Sequence, residues 1–201
     1  MKVFGPYRRL VAGIALSVAL AWVSLVGVSA AITRAPLRPA APDFQLGDSQ
    51  GLPVELSSYR SKVVIVDFWA TWCTGCKVEI PWFMEFEKKY KNAGLETIGV
   101  AMDAEGWDKV SPYLEQHPFN YRIVVGDDRF AKLFNVSSLP MTLLIDRDGR
   151  IAEQHVGMVD KDVWEKEVLT LLHEKPNSPT QRRRPGRLGS GPADDLYQLK
   201  L

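Results

Sequence analysis

Residues 62–81 read KVVIVDFWATWCTGCKVEIP, and the opening of that stretch decides the fold. Val63, Val64, Ile65 and Val66 are consecutive β-branched residues, and Phe68 and Trp69 carry the apolar run past Asp67. A short run that is apolar on both faces reads as a strand buried in the middle of a sheet. Through residues 73–92, Val78, Ile80, Phe83, Phe86 and Tyr90 stand among Glu and Lys at helical spacing, and Gly94 stops the segment. Residues 95–102 form a second apolar strand, residues 107–116 a second helix and residues 121–125 a third strand. Strands that alternate with helices build parallel sheet through right-handed crossovers. Residues 141–146 and 151–156 flank Arg147-Asp148-Gly149, which signals an antiparallel hairpin. Trp164, Val168, Leu171 and Leu172 follow at helical spacing behind Asp160, a candidate N-cap, and make a closing helix. Ahead of the central strand, residues 44–46 and 54–56 suggest a further hairpin joined through Gly51 and Pro53. The expected architecture is α/β, a mixed central sheet flanked by helices with an N-terminal β-hairpin.

The chain of 201 residues, 46% hydrophobic and 24% charged with six Trp, suits one globular domain plus extensions. Two Cys cannot supply a disulfide scaffold, and the apolar content makes one unnecessary. The net charge of +1 conceals an asymmetry: residues 42–174 hold 14 Lys and Arg against 22 Asp and Glu, so the body is acidic and its flanks are basic. An acidic body lacks the clustered cations that a phosphate backbone requires, and no nucleic-acid partner is expected.

Residues 10–32 contain no charge over 23 positions and follow Lys2, Arg8 and Arg9. At 1.5 Å per residue the run can cross a hydrocarbon core of about 30 Å, whereas a secretory apolar region is about 7 to 15 residues long. Residues 1–9 are therefore read as a cytosolic N-terminus and residues 10–32 as a transmembrane anchor, the basic residues ahead of the run placing the body outside. The expected location is the inner membrane, single-pass, with the domain on the periplasmic or extracytoplasmic side. Val28-Ser29-Ala30 offers small residues for cleavage, and a cleaved signal peptide would leave a secreted periplasmic protein instead. Residues 33–40 read as a linker and residues 41–174 as the domain. Residues 175–201, rich in Pro and Gly around Arg182-Arg183-Arg184, read as a disordered basic tail.

Cys73 and Cys76 sit where the central strand hands over to the helix. A sulfur at a helix N-terminus meets free N–H groups and the positive end of the helix dipole, which stabilise a thiolate. A C-x-x-C thiol with a lowered pKa attacks disulfides, and the second Cys lies close enough to resolve the mixed disulfide. Zinc would need two more ligands. With no further Cys, only His117, His155 and His173 remain, none paired at the required spacing, so no metal is expected. A static cross-link over so short a loop would stabilise little. A redox pair is the reading these residues favour, with no cofactor beyond the redox-active disulfide itself.

The stretch from Asp67 through Lys77, with Pro81 further on, resembles the active-site segment of thioredoxins. Together with Ala41-Pro42-Asp43-Phe44 before it and Leu139-Pro140 and Gly149 after it, the pattern over residues 41–172 is similar to that of membrane-anchored thioredoxin-like reductases of the TlpA/ResA type. The resemblance implies a thioredoxin fold with the N-terminal hairpin and an inserted β-α unit, fitting residues 95–116. It further implies that Pro140 is a cis-proline facing the cysteines. Two departures stand out: Thr74-Gly75 replaces the usual Gly-Pro or Pro-Pro between the cysteines, and Asp67 stands where many anchored members carry Asn.

On this resemblance Cys73 attacks, Cys76 resolves, and Asp67 is the buried carboxylate that takes the Cys76 proton, although a satisfied strand-end carboxylate is its plainer reading. Leu139 and Pro140 would line the substrate strand, with Trp72 on the rim; an ordinary loop proline is the alternative for Pro140. Glu79 matches a family acidic position, and a solvated helix face fits it equally well. His155 reads as structural. The implied activity is an extracytoplasmic protein-disulfide reductase acting on exported proteins, cytochrome c maturation included. Its implied partners are disulfide-bearing client proteins, a transmembrane thiol electron donor and the membrane, and a monomer is expected. A thiol peroxidase of the peroxiredoxin-like class is the alternative; related folds place Thr three residues before the reactive Cys, where this chain has Ala70. A redox-inert binding module is a third reading, against which the intact cysteine pair speaks.

Overall fold

A computed structural model describes residues 37–175. Its central strand, β3 (Val63–Trp69), follows a small antiparallel pair, β1 (Gln45–Gly47) and β2 (Pro53–Glu55), and is buried along its whole length. Helix α1 (Cys76–Tyr90) leads to β4 (Leu95–Ala101), and α2 (Trp107–Gln116) leads from it to β5 (Arg122–Val125). Then come α3 (Asp128–Phe134), β6 (Met141–Ile145), β7 (Ile151–Val156) and α4 (Lys161–His173). The five-stranded sheet has the order β5-β4-β3-β6-β7; β3, β4 and β5 are parallel, while β6 runs antiparallel to both β3 and β7. The fold class is the mixed α/β one expected, with the hairpin in place.

Alternation along β3 sorts its side chains onto two faces. Val64, Val66 and Phe68 join Ile98, Val100, Leu143 and Ile145 in one core, closed by Phe44, Phe130 and Phe134. Val63 and Ile65 face the other way, against Phe83 and Phe86 of α1 and Trp164, Val168 and Leu171 of α4. Asp67 and Trp69 continue that second row, so the carboxyl of Asp67 lies on the sheet face that α1 covers. Trp69 is enclosed by the inserted unit, its ring 5.0 Å from Phe119 and 5.5 Å from Tyr113.

Three features differ from the sequence reading. The helix expected from residue 73 begins at Cys76 and passes through a 3-10 turn to Gly94, whose φ of 101° is the left-handed stop. Helix α3 is an element the apolar pattern did not reveal; the Asp127 side chain caps it by accepting the Phe130 N–H at 2.8 Å. Asp160 does occupy the N-cap of α4, yet its side chain makes no capping bond.

Ordered contacts also begin ahead of residue 41. The buried Arg38 guanidinium donates to Asp146 at 3.0 Å and to both Glu174 oxygens at 2.7 and 2.8 Å, and Ile151 N–H donates to Pro39 O. No helix among the described residues is long and apolar enough to cross a membrane. The expected anchor and, from residue 176 on, the basic tail lie outside those residues.

Candidate active site

Strand β3 ends at Trp69, and the next four residues form a turn that delivers Cys73 to the start of α1. Sequence and packing fix that turn. Met102 N–H donates to Trp69 O at 2.8 Å and Cys73 N–H to Ala70 O at 3.0 Å. Thr71 donates its backbone N–H (3.0 Å) and its hydroxyl (2.6 Å) to Asp103, and both residues are buried. The inserted unit thus fastens the turn through the loop that follows β4.

Cys73 and Cys76 form a disulfide with Cα atoms 5.4 Å apart. Helical bonding already starts at Cys73, whose carbonyl accepts the Lys77 N–H at 3.3 Å. The Cys76 backbone N–H points at Cys73 Sγ at 3.1 Å. Such an N–H, with the dipole behind it, is the donor that a Cys73 thiolate would need. Cys73 keeps 5% of its surface exposed and Cys76 1%, so the first cysteine is the more accessible of the two.

Around the pair stand several residues singled out above. Trp72 is 65% exposed, a large ring on the rim. The Leu139–Pro140 peptide is cis, and Leu139 packs against the cluster that contains both cysteines. Pro140 Cδ lies 3.1 Å from where a Cβ on Gly75 would sit. The structure therefore brings Cys73, Cys76 and Leu139 into one cluster, with Pro140 against Gly75 and Trp72 exposed next to Cys73 in the chain.

Beneath that surface two carboxyls are buried. Asp67 has no hydrogen-bond partner on either oxygen among the described residues, and burial, reinforced by the nearby charge of Glu79, pushes its pKa well above the usual carboxylate range. Glu79, on α1 one turn beyond Cys76, is buried rather than solvated, which overturns the surface reading of this residue. Its Oε1 accepts the Val159 N–H at 3.1 Å and Trp164 Nε1–H at 3.3 Å. Burial raises its pKa, partly opposed by these two donors. The spacing of α1 does put Glu79 on its buried face, four residues before Phe83 and seven before Phe86, but its two donors come from a distant loop and helix. Met158, in the same loop as Val159, was likewise missed and packs directly on Gly75.

His155 was expected to be structural, and its charge also lowers the pKa of Glu79. Its Nε2 meets Glu167 at 2.8 Å and its ring stands edge-on to Trp164, which suits a structural role. Among the described residues no group of His, Cys, Asp and Glu could hold a metal ion.

The residues assembled here can exchange disulfides, and known proteins match that chemistry. Residues 37–154 match the AhpC/TSA family. The thiol-disulfide oxidoreductase ResA of Bacillus thuringiensis is 32% identical over 161 residues, covering 78% of this chain and 91% of that one. ResA of Geobacillus kaustophilus is 33% identical over 140 residues, covering 69% and 80%. Among solved structures, a Chlorobium tepidum protein proposed to be the thiol:disulfide interchange protein DsbE superposes with a TM-score of 0.64 at 34% identity, over 67% of this chain and 96% of that one.

Proposed function

The chain belongs to the AhpC/TSA family and is a thiol-disulfide oxidoreductase of the TlpA/ResA type within the thioredoxin superfamily, and from that premise we propose that it reduces disulfides of exported proteins outside the cytoplasm. The observation that carries this reading is the Cys76 backbone N–H directed at Cys73 Sγ at the start of α1.

In the reduced protein the Cys73 thiolate attacks one sulfur of a client disulfide. A Cys73–client bond forms, the client S–S bond breaks, and the released client thiolate takes up a proton. Cys76 then loses its proton to the Asp67 carboxylate, directly or through water, and attacks Cys73 Sγ. The mixed disulfide breaks, the second client sulfur leaves as a thiolate and is protonated, and the Cys73–Cys76 bond forms. Two electrons have passed to the client. A dithiol donor in the membrane returns them by the same exchange in reverse. Trp72, Leu139 and Pro140 hold the client segment beside Cys73. Exported apocytochrome c is one client chemistry this would serve.

A carboxyl suits the proton step because burial makes its ionised form a strong base. A thiol peroxidase fits less well, since the buried residue three positions before Cys73 is Ala70, which carries no hydroxyl toward a peroxide. Insulin reduction with dithiothreitol, set against hydrogen peroxide consumption with the same donor, separates the two. Rapid insulin reduction without peroxide turnover is the expected result, and the converse would replace this reading with a peroxidase. Attachment through residues 10–32 is tested by fractionation with N-terminal sequencing, where soluble protein beginning at Ala31 would remove the anchor.

A further inference from the structure

The proton step needs Asp67 as a carboxylate, yet both of its oxygens are buried without a hydrogen-bond partner among the described residues. A bare carboxylate in such surroundings is costly unless a donor reaches it. The register of the sheet shows where one stands. Asp67 pairs with Gly99 on β4, and Gly99 pairs in turn with Ile123 on β5. Paired residues on neighbouring strands face the same side of a sheet about 5 Å apart, so a side chain at position 99 would lie beside the Asp67 carboxyl. Gly99 has none. A Cβ there would meet Tyr121 Cε2 and Trp69 Nε1, each at 3.1 Å, and Ile123 Cδ1 at 2.6 Å. The missing side chain is what lets the edge of the Tyr121 ring lie against β4 next to Asp67.

The Tyr121 hydroxyl is buried and, like Asp67, has no partner among the described residues. Burial pushes the phenol well above its usual range, and the charge of Asp67 adds to the effect, so the hydroxyl keeps its proton and the two groups lie within electrostatic reach. The other groups whose charge is felt at Asp67 or Tyr121 are Glu79 and Glu87 on α1 and Tyr113 on α2, all of them acids. Two further donors without partners stand nearby. Trp69 Nε1 belongs to a ring held against Phe119 and Tyr113, whereas a hydroxyl rotates to suit its acceptor. Thr142 pairs with Asp67 from β6, but its alkyl hydroxyl is a weaker acid than a phenol and so the weaker donor.

We propose that Tyr121, seated on Gly99, is a positioning residue for the proton step: its hydroxyl donates to the Asp67 carboxylate and holds it until the Cys76 proton arrives. Tyr121 keeps its own proton throughout. The Cys76 S–H bond breaks, the Asp67 O–H bond forms, and the hydrogen bond from the phenol weakens as Asp67 becomes neutral. The inference rests on the Asp67 step of the reductase reading and deepens it.

Tyr121→Phe removes the hydroxyl and keeps the ring. A hydrogen bond to the charged form favours ionisation, so its loss raises the Asp67 pKa. In the reduced full chain, the carbon-13 carboxyl titration of Asp67 should move up by about one pH unit, the scale of a hydrogen bond to a charged group. The pH profile of mixed-disulfide resolution should move up with it, while attack by Cys73 is unchanged. The oxidised variant should unfold at the same denaturant concentration or a higher one, because the hydroxyl it loses had no partner there. Thr142→Val is the comparison and should shift the titration less. An unmoved Asp67 midpoint in Tyr121→Phe, a larger shift in Thr142→Val, or an effect of Tyr121→Phe on resolution that persists in the Asp67→Asn background would each overturn the proposal. If the unmodified chain leaves insulin disulfides intact, the reductase reading falls, while the carboxyl titration, which needs no substrate, still decides whether Tyr121 holds Asp67.

Discussion

Thr71 gives both its backbone N–H and its hydroxyl to the Asp103 carboxylate, at 3.0 and 2.6 Å, and neither residue is open to solvent. The bond joins the loop after β4 to the turn that carries Cys73. A buried acceptor stripped of a donor costs about 1 to 3 kcal/mol. Thr71→Val should therefore destabilise the oxidised protein by about that amount in denaturant unfolding, and Asp103→Ala should cost at least as much. A change below about 0.5 kcal/mol in both, typical of surface positions, would show that the bond does not hold the turn.

Asp67→Asn should slow resolution of the mixed disulfide by Cys76 about a hundredfold near neutral pH, at the lower end of what a positioned base contributes. The initial attack by Cys73 depends on the helix end and should keep most of its rate. Rapid-quench detection of the mixed disulfide should show it accumulating. An unchanged rate and pH profile would leave Asp67 with a structural role only.

Stability of the oxidised protein should fall as pH rises. Asp67 and Glu79 have folded pKa values raised above their unfolded ones, so the folded state holds protons that the unfolded state has released. Their contribution is complete below about pH 4 and is lost as pH climbs toward the folded values. His155, raised chiefly by its bond to Glu167, contributes fully below about pH 6.5 and loses that stability as pH rises through its own folded value. Asp48 and Asp127 are held below the usual range and act oppositely, losing stability as pH falls. Denaturant midpoints from about pH 5 to 9 should decline, and Asp67→Asn should flatten the decline; a slope identical in the variant would contradict the assignment of Asp67.

Much of this was legible in the sequence for identifiable reasons. β3 announces itself because a central strand is apolar on both faces, and Cys73 and Cys76 fall at its junction with a helix. The bounds of α2 follow from its clear amphipathic spacing. Helix α3 was hidden because seven residues give too few turns for periodicity to show, although Asp127 with Phe130 and Phe134 was a local cue. Glu79, Asp103, Met158 and Arg38 were hidden for another reason. Their partners lie far along the chain, so nothing local marks the donors that hold Glu79 or Arg38 as the clasp on Glu174.

The Cys73–Cys76 couple should be reducing. Thr74-Gly75 adds no positive charge beside the thiolate, leaving the helix end as its main support. Equilibration with glutathione or dithiothreitol should give a potential nearer the thioredoxin value of about −270 mV than the about −120 mV of a strong oxidant. A value above about −160 mV would make the protein an oxidant.

Division of labour between the two sulfurs is tested most directly by trapping. Reduced Cys76→Ser, mixed with oxidised insulin, should accumulate a mixed disulfide through Cys73, visible by mass spectrometry and released by dithiothreitol. Cys73→Ser should form little or none under the same conditions, because Cys76 is buried and its own backbone N–H faces Cys73 Sγ rather than its own sulfur. An adduct that forms equally in both variants, or only in Cys73→Ser, would contradict the mechanism.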